Sequence, residues 1–285
     1  MTTIADALRA ARARLAKAGI ESTAIDARVL LAHVLNVTHA QLVGWPEREL
    51  EPEALAIFSG LIDRRTDHEP VAHLVGHREF WGLCFAVSPA TLIPRPDTET
   101  LVEAALSSVP SREAAIAILD IGTGTGCVLI ALLHELRNAR GIGVDVVPEA
   151  LALAHGNAGA LGVGSRAHWL LDGDLTLLSD PIDLIVANLP YIPSAEIRTL
   201  ARDVVGFEPH LALDGGIDGL DVFRRVAPKL TRLLRPGGVA LFEVGYDQAV
   251  AVQALLAAQP GLESPRIWAD LSTIARVVGV RYVAG

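Results

Sequence analysis

Apolar positions near the start of the chain recur at helical spacing. In "TTIADALRAARARLAKAGI", Ile4, Leu8, Ala11 and Leu15 fall on one face, Thr3 and Asp6 stand at a capping-box spacing, and Gly19 marks the stop. "STAIDARVLLAHVL" repeats the arrangement from Thr23 and Asp26, and "EPEALAIFSGLIDRRTDHE" opens on Pro52 and acidic residues, where a helix dipole favours them. The pattern predicts a helical domain over residues 1–75, its bundle ending near Glu69. The period then shortens. "EFWGLCFAV" sets aromatic and β-branched residues around Gly82, predicting a β-hairpin connector over 76–93. From residue 94 the runs "IAILDI", "GIGVDV", "AHWLL" and "IDLIVAN" alternate with helical segments, as a parallel sheet covered on both faces requires. "GVALFEVG" is followed by a helix and then by "PRIWAD" and "IARVVGVRY", close enough to pair antiparallel. The expectation for 94–285 is an α/β domain with seven strands, the last antiparallel.

Composition narrows the class. A chain of 285 residues, 51% hydrophobic and 20% charged, suits a globular protein with one large and one small domain. Cys84 and Cys127 are too few for a disulfide framework and lie in no metal-binding spacing, which predicts a reducing, cytoplasmic home. Arg and Lys scattered through the first helix leave no signal-peptide core, and no apolar run reaches membrane-spanning length. The net charge is −9, and the first 75 residues hold 8 Lys or Arg against 10 Asp or Glu, so a surface made for nucleic acid is disfavoured. His73 and His77 stand four apart without a third ligand, and no metal is expected.

"ILDIGTGTG" runs off a strand into "CVLIALLHELR". Gly122, Gly124 and Gly126, with Thr123 and Thr125 between them, let the backbone turn sharply and approach a ligand before the helix presents its N–H groups. Asp145 ends the next strand, 21 residues beyond Gly124, where a carboxylate can accept from ribose hydroxyls, so a nucleoside cofactor is expected. Asp120, two residues before the first glycine, would repel a pyrophosphate and attract a cation. That favours S-adenosylmethionine, with its sulfonium and ammonium, over a dinucleotide. In "DGDL", Asp174 can take an adenine amino group and Leu175 can pack on the ring, although a solvated turn explains the stretch equally well. "FEPHLALDGGIDGLDVF" reads as a crevice rim, its Glu208 and Asp218 either bracing the loop or facing substrate.

"ANLPYIP" closes the strand "IDLIVA". The Asn188 side-chain oxygen and the Leu189 carbonyl can hold the two N–H bonds of a planar amide or amine and aim its remaining lone pair. Pro190 stiffens the turn and Tyr191 can wall the planar group. A strand-ending turn with Asn188 as a capping residue is the plainer alternative.

Together with "GHREFWGLCFAVSPATLIPRPDTETLVE", these segments resemble the bacterial protein-glutamine methyltransferases that modify peptide chain release factors, over nearly the whole chain. The resemblance implies a Rossmann-like class I methyltransferase sheet behind a small helical substrate-recognition domain. It also implies transfer of a methyl group from S-adenosylmethionine, leaving S-adenosylhomocysteine, to the glutamine of a release factor's Gly-Gly-Gln tip. Gly122 to Gly126, Asp145 and Asn188 would then contact cofactor, Asn188 to Tyr191 would hold the glutamine, and Arg95 to Glu99 would flank the methionine end. Relatives carry proline where this chain has Leu189, often an aromatic where it has Leu175, and a glycine that "DLSTIARVV" lacks. Two other readings accompany this one: an adenine-amine nucleic-acid methyltransferase, and a non-catalytic cofactor-binding module that docks translation proteins. A monomer touching neither nucleic acid nor membrane is expected.

Overall fold

A computed structural model describes residues 2–283. The chain forms two compact units: the residues up to His77 together with Ala201–Phe207, and Arg78–Leu200 together with the residues from Glu208 on. The segment Ala201–Phe207 packs with the helices, a grouping that the local pattern around it does not announce.

The first unit contains α1 (Ile4–Lys17), α2 (Thr23–Leu35), α3 (His39–Gly44), α4 (Pro52–Thr66) and α5 (Val71–Val75). The expected capping box forms, with Thr3 accepting from the Asp6 backbone and Asp6 reaching back. At α2 it does not. Ser22 takes the N-cap position without a side-chain bond, and Asp26 turns inward to accept from Arg65 Nε at 2.8 Å. Both partners are buried, and a carboxylate out of water needs a cation more than a helix end needs a cap. Arg65 also donates to the Glu69 carbonyl at 3.1 Å and lies 4.0 Å from Asp203, which ties Ala201–Phe207 to the bundle. Ile4, Leu15, Leu30, Leu31, Leu42 and Ile62 form its core.

From Arg78 on, the second unit contains the hairpin of β1 (His77–Phe80) and β2 (Leu83–Ala86). Its two turn residues, Trp81 at φ 54° and Gly82 at φ 69°, both have the positive φ of the turn that matches strand twist. A tryptophan is an uncommon occupant of that region. Two carboxylates hold it: Glu99 accepts the Trp81 backbone N–H at 2.9 Å, and Glu135 accepts the indole N–H at 3.0 Å. Glu99, expected beside the cofactor, braces this turn instead.

The remaining elements are α6 (Glu99–Ser108), β3 (Ala117–Ile121), α7 (Cys127–Glu135), β4 (Arg140–Asp145), α8 (Pro148–Ala160), β5 (Ala167–Leu171), β6 (Ile182–Ala187), β7 (Leu234–Glu243), β8 (Arg266–Ala269) and β9 (Ala275–Arg281), with shorter helices between β6 and β7 and one after β7. The sheet runs β5-β4-β3-β6-β7-β9-β8. β3 pairs parallel with both β4 and β6, whereas β9 is antiparallel to β7 and β8. This is the seven-stranded arrangement expected, with the last strand reversed. Alternate residues serve opposite faces: Ile118, Leu184, Val186 and Leu241 enter one apolar cluster, and Leu119, Ile121, Ile185 and Phe242 the other.

Strand order reverses at β3. The chain proceeds outward through β4 and β5, then returns to place β6 on the other side of β3, opening a crevice at the carboxyl ends of that pair. Ile121 pairs with Ala187, so the glycine loop and the Asn188 turn leave the sheet side by side.

Candidate active site

Backbone geometry builds the glycine loop before any side chain acts. Gly122 and Thr123 both donate to the Val144 carbonyl, at 2.8 and 3.0 Å, which folds the loop back over β4. Gly122, Gly124 and Gly126 all have positive φ, the region that a side chain disfavours. Gly126 is special in another way, because a Cβ there would lie 3.0 Å from Ile130 and 3.1 Å from both Ala154 and Trp169. It packs the start of α7 against the sheet and does not line the crevice.

Asp145 closes the other side of the loop. Its Oδ2 accepts the Gly124 N–H at 2.9 Å, and its Oδ1 accepts from Val146 at 2.8 Å and Val147 at 3.0 Å. A carboxylate offers about four acceptor sites, so the backbone takes most of them and leaves Oδ2 the freer oxygen.

Asp120 is almost fully buried at the floor and accepts from Thr123 Oγ1 at 2.7 Å. Burial pushes its carboxyl up to about 7, against the Thr123 hydrogen bond and with the neighbouring Asp145 charge adding to the rise. Two of the three cations that line the cavity are engaged. Arg95 donates to Glu208 at 2.5 Å, and Lys229 donates to the Asp174 carbonyl at 2.9 Å. Glu208 also accepts from the Ile93 backbone at 3.3 Å, so it braces the "IPRP" segment. Asp218 binds Arg224 and holds the rim loop.

A cavity of about 330 Å³ joins these groups, within the range of small-molecule sites. Asp120, Gly122, Thr123, Gly124 and Thr125 line it from β3, and Asp145 from β4. Asp174 and Leu175 line it from the turn after β5, Asn188, Leu189 and Pro190 from the turn after β6, and Arg95 and Thr98 from the segment before α6. Leu175 is buried with φ at 58°, held where its carbonyl accepts from Arg232 Nη2 at 2.5 Å. Asp172 fixes this turn by accepting from the Asp174 and Leu177 backbones at 3.0 and 2.9 Å.

Tyr191 does not line the cavity. It is half-buried against the apolar cluster containing Leu220, Phe242 and Ala249. Burial first, and the Glu243 charge second, push its phenol well above the ordinary range. The turn beyond it is stitched down: Ile192 donates to Leu213 at 3.0 Å, Gly215 to Ile192 at 2.9 Å and Ser194 to Gly216 at 2.9 Å. Gly219 lies so close that a Cβ would sit 2.2 Å from the Tyr191 carbonyl. The two prolines of "NLPYIP" thus belong to a segment pinned on both sides.

Asn188 Nδ2 donates to Thr98 Oγ1 at 3.2 Å, which leaves Oδ1 as the end of the amide available to the crevice. Glu243, the last residue of β7, lies nearly fully buried one strand over. Sequence reasoning passed over it. The available signal was its place at the carboxyl end of a strand neighbouring β6, the position that singled out Asn188.

A parallel sheet with a reversed last strand, a glycine loop at its switch point and a cavity in which carboxylates outnumber cations define a methyltransferase that uses S-adenosylmethionine. The donor set fits that cofactor, since Asp120 and Asp145 line a cavity whose five carboxylates outnumber its three cations. Residues 6–76 match the family model of a PrmC N-terminal domain and residues 118–206 that of a methyltransferase domain. The release factor glutamine methyltransferase of Caulobacter vibrioides is 45% identical over 278 residues, covering 97% of this chain and 95% of that one. Those of Cereibacter sphaeroides, 45% identical over 98% of this chain and 99% of that one, and of Bradyrhizobium diazoefficiens, 43% identical over 98% and 95%, are similar along their whole length. The chain belongs to the release factor glutamine methyltransferase family. Among the described residues no helix is long and apolar enough to cross a membrane.

Proposed function

We propose that this protein methylates the side-chain amide nitrogen of the glutamine in the Gly-Gly-Gln tip of peptide chain release factors, acting as a cytoplasmic monomer without direct contact to nucleic acid. One observation carries the reading: Thr98 engages the nitrogen end of the Asn188 amide, so the oxygen end faces the crevice beside the glycine loop. S-adenosylmethionine, when bound, supplies an electrophilic methyl group and leaves as S-adenosylhomocysteine.

The chain's residues deal with the poor nucleophile. A carboxamide nitrogen has its lone pair delocalised into the carbonyl, so its orientation decides the rate. Asn188 Oδ1 and the Leu189 carbonyl accept its two N–H bonds and leave the lone pair one direction to point. Leu189 lacks the φ lock of a proline, but it is buried in the apolar cluster that includes Ile121 and Phe242, and packing holds its carbonyl in place. As the new N–C bond forms, one N–H becomes acidic, and its proton passes to water without a strong base. Of the cavity's lining, Asp120 and Asp145 would hold the cationic and ribose portions of the cofactor, and Leu175 and Asp174 would border its adenine. The acidic chain, −9 overall, suits a protein substrate better than a nucleic acid.

The test is incubation with purified release factors and methyl donor, followed by peptide mass mapping. The expected product gains one CH2 on the glutamine of the tip. No gain there, or a gain on nucleic acid in a parallel labelled-methyl assay, overturns the reading.

A further inference from the structure

Thr91 lies in the irregular stretch between the hairpin and α6, and it lines the same cavity as the glycine loop. It is 2% exposed, yet among the described residues its hydroxyl oxygen Oγ1 has no hydrogen-bond partner. The backbone around it is pinned, since the Thr91 N–H donates to the Ser88 carbonyl at 3.3 Å and the Ile93 N–H to Glu208 at 3.3 Å. A Cβ placed on Gly124 would lie 4.0 Å from the Thr91 Cβ, so the threonine stands over the middle of the loop. A buried hydroxyl left unpaired weakens a fold, and one that borders a cavity finds its partner in whatever fills that cavity.

We propose that Thr91 is a cofactor-binding residue whose hydroxyl donates to the carboxylate at the amino-acid end of S-adenosylmethionine, in company with the first N–H groups of α7. The pair of donors would distinguish the intact cofactor from nucleosides that lack that end. The inference rests on the use of S-adenosylmethionine and on the ribose lying at Asp145 as proposed above; it does not depend on which substrate is methylated. With Asp174 and Leu175 bordering the adenine and Asp145 the ribose, the rest of the cofactor lies over the glycine loop, whose Gly124 N–H is bonded to Asp145. Thr91 stands over that same glycine.

The amino-acid end carries an ammonium and a carboxylate, and the cavity treats them differently. The ammonium can choose among the carboxylates of the lining, whereas donors for the carboxylate are scarce. Lys229 is committed to the Asp174 carbonyl, at the adenine end, and Arg225 comes from the helical run that also carries Lys229. Arg95 is shared with Glu208, and Thr123 gives its hydroxyl proton to Asp120. Over the loop, the Thr91 hydroxyl is uncommitted. So is the first turn of α7, whose N–H groups have no backbone partner within the helix and whose N-cap, Gly126, has no side chain to satisfy them. Cys127 and Val128 of that turn line the cavity. A helix N-terminus favours an anion, and a buried hydroxyl bordering the same space supplies a second donor for it.

The experiment measures affinities by isothermal titration for wild type, Thr91→Val and Thr91→Ser, with the thermal midpoints of the ligand-free proteins beside them. The ligands differ at one end only: S-adenosylhomocysteine, its decarboxylated analogue, which keeps the amine, and methylthioadenosine, which keeps neither group. T91V is expected to bind S-adenosylhomocysteine about tenfold to a hundredfold more weakly, as the loss of a hydrogen bond to a charged group requires, and to bind the other ligands as wild type does. T91S keeps the hydroxyl and retains most of the affinity. The ligand-free midpoint of T91V is expected at or above that of wild type, since a methyl group replaces a polar group that no protein atom satisfies. A lowered midpoint, or a T91V that does not fold, overturns the proposal by giving the hydroxyl a structural partner. So does an undiminished affinity of T91V for S-adenosylhomocysteine, a loss shared by the decarboxylated analogue or by methylthioadenosine, or a T91S as weak as T91V. Should the ligands show the expected pattern while wild type methylates no glutamine, the function proposed above fails and the role of Thr91 stands.

Discussion

The side chain of Asn157 binds both polar groups of Ala86: its Oδ1 accepts the Ala86 N–H at 2.9 Å, and its Nδ2 donates to the Ala86 carbonyl at 3.1 Å. The same Nδ2 donates to the Thr125 carbonyl at 3.0 Å. One residue of α8 therefore fastens the hairpin to the glycine loop. Asn157→Leu keeps the bulk but strands the buried Thr125 carbonyl, at a cost of about 1–3 kcal/mol, and frees two partly buried groups of Ala86. The expected result is a loss of about 1–3 kcal/mol, read as a lowered thermal midpoint, together with faster hydrogen exchange at the Ala86 amide. Exchange at Ala86 unchanged in the variant would show that the hairpin is held by other means.

Gly143 in β4 makes a different kind of prediction. A Cβ there would fall 2.4 Å from the Trp169 ring and 2.9 Å from Thr123 Oγ1. The ring occupies the room that the missing side chain leaves, and Thr123 in turn binds Asp120. Gly143→Ala should overpack this spot and destabilise by about 1–3 kcal/mol, lowering the midpoint by about 2–4 °C per kcal/mol. It should also weaken S-adenosylhomocysteine binding, because Thr123, one of the two crowded side chains, belongs to the glycine loop. Scanning calorimetry of the variant reads the midpoint, and isothermal titration with S-adenosylhomocysteine reads the affinity.

Two buried carboxylates give the pH dependence its sign. Asp120 rises from the ordinary 3.8 to about 7 and Glu243 from 4.5 to about 7, burial leading in both. The folded state thus holds these protons more tightly than the unfolded state. Their contribution to stability is full below the ordinary carboxylate range and is lost as pH rises through about 7. Asp218, lowered to about 2 by its Arg224 hydrogen bond, acts oppositely and only in strong acid. Without ligand, the thermal midpoint should fall between mildly acidic and mildly alkaline pH, and less so in Asp120→Asn. A cationic ligand favours the ionised Asp120, so its affinity should rise with pH across the same window, by at most about tenfold per unit for one proton released. An affinity independent of pH would remove Asp120 from cofactor binding.

What the sequence made legible is chemistry written locally. The glycine loop, Asp145 and Asn188 sit within turns whose residue types follow from backbone geometry at strand ends, and the sheet brings those turns together because β3 and β6 are neighbours. Partnerships across long sequence separations were not legible. Thr98 and Asn188 are 90 residues apart, and Asn157 lies 71 residues from Ala86 within a segment that reads as an ordinary helix. A motif also gives adjacency without direction. Gly126 is the third glycine of its loop but faces Ile130 and Trp169, and Tyr191 follows Pro190 yet packs on the apolar cluster of Phe242 and Ala249. Asp26 stood at a capping position and went to Arg65, because the arginine arrives from α4, a helix that no local pattern pairs with it.

The separation of binding from chemistry can be tested on Asp145 and Asn188 together. Asp145 braces the glycine loop through Gly124 and leaves its freer oxygen toward the cavity. Asp145→Ala removes hydrogen bonds to a charged group, worth about 1.5–3 kcal/mol each, and should weaken S-adenosylhomocysteine binding by about tenfold to a hundredfold. Asn188→Ala removes the acceptor that orients the substrate nitrogen and leaves the Gly124 to Asp145 bond untouched. It should lower kcat by about a hundredfold or more with cofactor affinity retained, the pattern of an interaction that acts on orientation and not on cofactor binding. The pair forms a crossed control: one variant loses binding, the other loses turnover. If Asn188→Ala lost only cofactor affinity and kept kcat at saturating donor, Asn188 would be a cofactor contact alone, and the acceptor that orients the glutamine would have to be sought elsewhere on the cavity wall.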